Sequence, residues 1–123
     1  MVIEISGVNA ESGLDLCDGD MDLYLHILRS YVSEMTTTIE KMRNVSEKTL
    51  KVYGIIVHGV KSMSEAIGAE EVRKTAKQLE KMAKGGDLAG VLARNNAFIE
   101  HTENLVNGIR AWLEKNNAAG ETP

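Results

Sequence analysis

The position of proline constrains the fold of this chain more than any other feature. Its only proline is Pro123, the last of 123 residues, so no proline interrupts a helix before that point. Apolar residues recur at spacings of three and four, rather than two, over most of the sequence. Together these features predict an all-α fold built from long amphipathic helices.

Four long helical segments and one short one are expected. The long segments cover residues 20–43, 49–67, 69–84 and 87–116, and a short helix over residues 9–17 precedes them. Short connections between long amphipathic helices predict an antiparallel four-helix bundle with a short additional N-terminal helix. We expect one domain over residues 1–117 and a flexible C-terminal tail over residues 118–123.

Local signals mark the ends of these segments. Asp20 and Asp87 are expected N-caps, and the Gly85-Gly86 pair is expected to end the third long helix. Each long segment carries an apolar stripe that faces the core. We assign the stripe of the second long segment to Tyr53, Ile56, Val60, Met63 and Ile67.

Composition excludes several classes of function. The chain has 14 Lys and Arg against 18 Asp and Glu, and this net charge of −4 offers no bulk attraction to nucleic acid or to an anionic membrane. No apolar run approaches the roughly 20 residues that a membrane-spanning helix needs. The single cysteine, Cys17, has no partner for an internal disulfide, and the N-terminus has no signal-peptide pattern. A cytoplasmic protein is therefore expected.

The second long segment contains an anomaly around His58. At 100° per residue, the assigned stripe points roughly 160–180° away from His58, which is therefore predicted to be exposed. Gly54 and Gly59 flank it, although a glycine inside a helix costs about 1 kcal/mol relative to alanine. Small residues there let another macromolecule approach the helix, and Ile55 offers it an apolar contact. The alternative is an ordinary surface histidine without function.

The third long segment supplies a partner for this histidine. With a turn near Gly68 and Ala69, an antiparallel hairpin places residue 58 level with Glu80. A carboxylate that accepts a hydrogen bond from one ring nitrogen fixes the tautomer and leaves a lone pair on the other. A nucleophilic histidine needs this arrangement. We expect His58 and Glu80 to meet across the hairpin.

Positive charge is concentrated on the same hairpin. Residues 49–84 contain seven Lys or Arg and four acidic residues, whereas the rest of the chain carries a net −7. Lys61 lies one turn from His58, and Arg73, Lys77 and Lys84 share the side of Glu80. This charge suits an anionic group or an acidic docking partner. The alternative is a solvated helix face.

Residues 58–69, HGVKSMSEAIGA, resemble the signature of the histidine-containing phosphotransfer (HPt) domain family. That family typically has His-x-Leu-Lys-Gly followed by small residues and Ile or Phe-Gly-Ala, and here Lys61 and residues 67–69 fall in register. The similarity extends over roughly residues 5–113. Two departures are Val60 for the usual leucine and Ser62 for the usual glycine.

The resemblance implies a phosphorelay intermediate whose partners are response-regulator receiver domains, a hybrid histidine kinase, or both. A phosphorylated receiver would pass its phosphoryl group to Nε2 of His58, and a second receiver would take it onward. Lys61 would neutralise phosphoryl oxygens and Glu80 would orient the ring through Nδ1. The expected docking residues are Gly54, Ile55, Gly59, Ser62, Lys77 and Lys84.

The resemblance also implies what this chain does not carry. Mg²⁺ is expected on the partner receiver, and no metal or cofactor is expected here. The chain is expected to be a phosphocarrier rather than an enzyme, because 123 residues cannot hold an ATP-binding domain beside the bundle. It is also expected to be a monomer.

Two other hypotheses come from different classes. The chain could be a docking module that is never phosphorylated, and Ser62 keeps this hypothesis open while the trio of histidine, lysine and carboxylate argues against it. A carboxylate-bridged metal bundle lacks its ligand motifs. His26, His58 and His101 lie on different predicted helices, and none has the close helical partner that a bundle metal site needs.

Overall fold

The computed structural model describes residues 2–120, and side chains up to residue 116. All regular structure in this range is helical. The five helices are α1 (Ala10–Leu16), α2 (Met21–Lys41), α3 (Leu50–Ile67), α4 (Glu70–Lys84) and α5 (Leu88–Gly120). The predicted all-α fold is therefore confirmed.

The four long helices form a closed bundle. Helix α2 packs against α3 and α5, α4 also packs against α3 and α5, and the short α1 lies against α3 and α2. Cross-helix hydrogen bonds run in opposed order along α2 and α3: the Tyr24 hydroxyl donates to the Ile67 carbonyl at 2.8 Å, and the Tyr31 and Ser64 hydroxyls lie 2.9 Å apart. The antiparallel bundle with an additional N-terminal helix agrees with the prediction.

The predicted capping residues are also in place. The Asp20 carboxylate accepts the backbone N–H of Leu23 at 3.1 Å, and the Asp87 carboxylate accepts that of Gly90 at 2.8 Å. These contacts satisfy backbone donors that have no partner within the helix. Helix α4 ends at Lys84, as the glycine pair predicts.

The turn between α3 and α4 requires glycine on two grounds. Gly68 adopts a left-handed φ of 82°, and a Cβ there would collide with the carbonyl oxygen of Asn9. Its own carbonyl accepts the backbone N–H of Asn9 at 2.9 Å. The segment before α1 therefore packs tightly on the turn that joins α3 and α4.

Helix α5 is longer than predicted, because its backbone continues to Gly120 rather than ending near Asn116. The predicted flexible tail of residues 118–123 remains a prediction. Residues 121–123 and the side chains of residues 117–120 lie outside the described part of the chain. Within the described residues, no helix combines the length and apolar character that crossing a membrane requires.

The predicted stripe of α3 is partly wrong. Ile56 and Met63 are only half-buried, and the buried face lies about 60° around the helix from the predicted one at 100° per residue. Almost every position from 52 to 57 is apolar, so hydrophobicity does not define one direction. The residues that form the buried face are Leu50, Tyr53, Gly54, Val57, Val60, Ser64 and Ile67.

Candidate functional site

His58 lies on α3 at the edge of the groove between α3 and α4. Its side chain is 57% exposed, and its Nδ1 atom lies 2.6 Å from Oε2 of Glu80. The antiparallel register about the turn at residues 68 and 69 therefore places these two residues correctly. An ionised carboxylate only accepts hydrogen bonds, so we assign the proton to Nδ1 and the lone pair to Nε2. The ring is held on one side and open to a partner on the other.

Glu80 is the buried centre of this site, with only 6% of its side chain exposed. Its Oε1 accepts a hydrogen bond from Nζ of Lys61 at 2.7 Å, and Nζ of Lys84 lies 3.1 Å from Oε2. The Lys61 hydrogen bond is the largest effect on the pKa of Glu80, and burial opposes it. The bonds from Lys84 and His58 act with Lys61, and the pKa falls from 4.5 to about 2. The carboxylate is therefore ionised at neutral pH.

The two lysines differ in their surroundings. Lys61 comes from the same helix as His58 and is 25% exposed, whereas Lys84 comes from the end of α4 and is 71% exposed. Sequence reasoning anticipated a cation beside His58 and missed the contact of both lysines with Glu80. For Lys84 the sequence did contain a signal, because Lys84 follows Glu80 by four residues and so lies on the same face of α4.

Gly54 corrects one expectation about the docking face. It is expected among the docking residues beside His58, but it is buried, and a Cβ there would lie 3.2 Å from the Cβ of Ala83. The absence of a side chain at Gly54 therefore lets α3 and α4 approach closely. The register that pairs residues 58 and 80 places residue 54 level with the end of α4, but it does not show which way Gly54 faces.

Other predicted docking residues do lie at the surface beside His58. Ile55 is 70% exposed. At Gly59, none of the described residues outside its own stretch of helix comes within 4 Å of where a Cβ would stand. The Ser62 side chain is exposed, and its hydroxyl donates to the backbone carbonyl of His58 at a long 3.3 Å. Because this hydroxyl turns back onto the helix, Ser62 projects less than its size suggests.

Two of the cations that were placed on the side of Glu80 lie away from its carboxylate in the structure. Lys77 is exposed on α4, and no contact connects it with Glu80 among the described ion pairs. Arg73 forms a two-point ion pair with Glu70, with nitrogen–oxygen distances of 2.9 and 2.6 Å. Arg73 precedes Glu80 by two helical turns, so its guanidinium belongs to the far end of the hairpin.

An apolar groove of about 750 Å³ opens beside the imidazole. Its lining joins α3, the end of α4 and the connection before α3. Of this lining, sequence reasoning assigned only Gly54, Ile55, His58, Glu80 and Lys84 to the site. The lining residues are Glu47, Leu50, Lys51, Gly54, Ile55, His58, Glu80, Ala83, Lys84 and Gly86.

The other histidines play no part in this arrangement. His26 and His101 are exposed on α2 and α5. Among residues 2–120, no group of three or more His, Cys, Asp or Glu side chains is placed to hold a metal ion. The chemistry that the described residues support is that of an oriented, exposed imidazole with two ammonium groups nearby.

One comparison with known proteins identifies a family for this chain. The family model of the Hpt domain matches residues 26–112, which is more than half of the chain. No curated protein and no solved structure is detectably similar to it. Hpt domains take part in phosphotransfer in two-component signalling, where they interact with receiver domains and histidine kinases. The matched region spans the hairpin, the exposed imidazole and the helices that support them, and the chain belongs to the Hpt domain family.

Proposed function

We propose that this chain is a phosphorelay intermediate that accepts a phosphoryl group on His58 and passes it on. The donor is the phosphorylated aspartate of a response-regulator receiver domain, and a second receiver is the acceptor. The observation that carries the proposal is the 2.6 Å contact between Nδ1 of His58 and a buried carboxylate, on a ring that is 57% exposed.

The transfer is an in-line displacement at phosphorus. The lone pair on Nε2 of His58 forms the new N–P bond while the O–P bond of the aspartyl phosphate breaks, and the aspartate leaves as a carboxylate. The Nδ1 proton stays on the ring, where the negative charge of Glu80 stabilises the positive charge that develops. The second transfer reverses these bond changes on another receiver.

The surrounding side chains position and neutralise rather than react. Glu80 holds the ring so that Nε2 faces outward, and its ion pair with Lys61 places an ammonium group one turn from the imidazole. We propose that Lys61 neutralises charge on the phosphoryl oxygens. No metal or cofactor is proposed on this chain, and the Mg²⁺ that the reaction needs is supplied by the receiver.

The receiver is proposed to dock over the exposed face around His58. Ile55 offers an apolar contact, the open space at Gly59 admits the partner close to the helix, and Ser62 lies at the edge of this contact. Lys77 and Lys84 add positive charge that suits the acidic pocket of a receiver. We expect the chain to act as a monomer in the cytoplasm.

A transfer assay tests this function. The protein is mixed with a phosphorylated receiver and Mg²⁺, and its intact mass is measured, with His58→Gln as the control. We expect the wild type to gain one acid-labile phosphoryl group and the variant to gain none. A second, unphosphorylated receiver is then added, and we expect the group to move onto it.

Receivers that bind the protein but never transfer to it would contradict the relay and support the docking module. Ser62 is then the first residue to examine. Phosphorylation of the His58→Gln variant at the wild-type rate would place the acceptor elsewhere.

A further inference from the structure

The two ammonium groups at Glu80 lie on different sides of the site. Lys84 lines the apolar groove together with His58, whereas Lys61 is not part of that lining. A partner that covers the groove and the exposed imidazole therefore approaches from the side of Lys84. The phosphoryl group of a receiver would arrive from the same direction.

The two ammonium groups also differ in how firmly they are held. Lys61 is 25% exposed and donates to Oε1 at 2.7 Å, so its ammonium group stays at the buried carboxylate and can neutralise phosphoryl charge only from that position. Lys84 is 71% exposed and lies 3.1 Å from Oε2, the same oxygen that accepts from His58. An exposed lysine with one long contact loses little when it turns toward a new anion. Lys84 is the cation that is free to move.

Phosphorylation would create such an anion within reach of Lys84. A phosphoryl group on Nε2 brings a dianionic charge to the ring that shares Oε2 of Glu80 with Lys84. Ammonium groups form strong charge-assisted hydrogen bonds to phosphoryl oxygens. Lys61 can hold Oε1 of Glu80 while Lys84 turns, so the imidazole stays oriented.

We propose that Lys84 is a phosphoryl-binding residue. It moves away from Glu80 and contacts the oxygens of phosphorylated His58, while Lys61 keeps the Glu80 carboxylate in place. This inference rests on the proposed function in taking His58 as the acceptor. It changes the role of Lys84 from a docking residue, which would act on partner affinity alone, to one that acts on the phosphorylated protein without any partner.

The test therefore leaves receivers out. Phosphoramidate, a small phosphoryl donor, transfers its phosphoryl group to the imidazole with release of ammonia. The 31P resonance of the phosphorylated protein is then followed against pH. A nearby cation favours the dianionic phosphoryl group and lowers the pH at which it titrates. We expect Lys84→Gln to raise that midpoint by about half a pH unit, the size expected for one exposed charge at close range.

Lys81→Gln is the matched control. Lys81 lies in the same last turn of α4 and carries the same charge, but it lies about 100° around the helix from Glu80. We expect Lys81→Gln to keep the wild-type midpoint and Lys84→Arg to restore it. Both glutamine variants remove a cation from the helix C-terminus, so any effect on the helix itself is the same in both.

The outcomes separate this inference from the proposed function. If His58 is phosphorylated and its phosphoryl group titrates at the same pH in Lys84→Gln and Lys81→Gln, the role of Lys84 is overturned and the relay is left intact. A wild-type protein that gains no phosphoryl group on His58 overturns both. A phosphoryl titration midpoint that rises only in Lys84→Gln supports both His58 as the acceptor and Lys84 as the residue that binds its phosphoryl group.

Discussion

Two of the polar clusters that connect helices in this bundle differ in what they leave open to solvent. In the core, the Tyr53 hydroxyl donates to Oδ1 of Asn95 at 2.7 Å, and Nδ2 of Asn95 donates to the carbonyl of Met42 at 2.7 Å. On the hairpin, Glu80 is equally buried, but its partner His58 is 57% exposed. We call these the Asn95 cluster and the Glu80 cluster.

The difference shows which cluster supports structure and which supports chemistry. The Asn95 cluster is closed, since its polar groups are paired inside the core and solvent reaches none of them freely. Burial raises the pKa of Tyr53, whereas cations lower that of Glu80 to about 2. The Glu80 cluster holds in place the imidazole of His58, whose second nitrogen faces outward. A buried pair of polar groups therefore does not by itself identify a functional site. A buried pair that holds an exposed reactive side chain does.

The largest effect on stability is expected from opening the Asn95 cluster. Asn95→Ala leaves the Tyr53 hydroxyl and the Met42 carbonyl buried without their partner. We expect the free energy of unfolding to fall by about 3 kcal/mol, because each unsatisfied buried group costs about 1–3 kcal/mol. Urea denaturation measures this change. Phosphotransfer per folded molecule should stay at the wild-type level.

Asn96→Ala is the control for this prediction, since Asn96 is the exposed neighbour on the same helix. We expect it to change stability by less than about 0.5 kcal/mol. Equal losses in the two variants would show that the Asn95 cluster contributes nothing specific to the fold.

A smaller effect on stability and a larger one on function are expected from Glu80→Gln. The glutamine keeps an acceptor for His58 but loses the charge that stabilises the phosphorylated ring. We expect the transfer rate to fall about tenfold, the lower end of the effect known for losing the hydrogen-bond partner of a metal-ligating histidine. We expect the free energy of unfolding to fall by about 1–2 kcal/mol at pH 7.

The pH dependence of this stability difference has a definite sign. The pKa of Glu80 is lowered from 4.5 to about 2 in the folded protein, so its ionised form stabilises the fold. That contribution is fully present above pH 4.5 and is lost as the pH falls toward 2. The difference between wild type and Glu80→Gln should therefore shrink over this range, and a constant difference would contradict the lowered pKa. Glu100→Gln, on the exposed side of α5, should show no such trend.

The smallest effect is expected at Ser62, where the family usually has glycine. Because its hydroxyl turns back to the carbonyl of His58, Ser62→Gly should change the transfer rate by less than about twofold and lower stability by about 0.5 kcal/mol through helix propensity. Ser62→Ala separates the hydroxyl from the propensity. A tenfold faster transfer in Ser62→Gly would show that the serine side chain obstructs docking.

Much of the hairpin was predictable from the sequence, because its register follows from one turn. The signals at residues 68 and 69 place His58 level with Glu80, and capping by Asp20 and Asp87 follows from their side chains alone. These features depend on neighbours in sequence or on one short connection. Local rules are sufficient for them.

The rotation of α3 was not predictable in the same way. Its N-terminal half is apolar on nearly all sides, and its buried face includes Gly54 and Ser64, which no hydrophobicity rule selects. Ser64 is buried because Tyr31 on α2 pairs with it, so tertiary contact decides the position. Asn95 was missed for the same reason, although its spacing from Val91 and Phe98 places it in the core register.

The most direct test of the central claim is to locate the phosphoryl group by atom. Protein labelled with 15N in its histidines is phosphorylated by a receiver, and the coupling between 31P and the ring nitrogens is measured. The proposed geometry predicts coupling to Nε2 of His58, with the proton retained on Nδ1 beside Glu80. Coupling to Nδ1, or a phosphoryl group on His26 or His101, would contradict it.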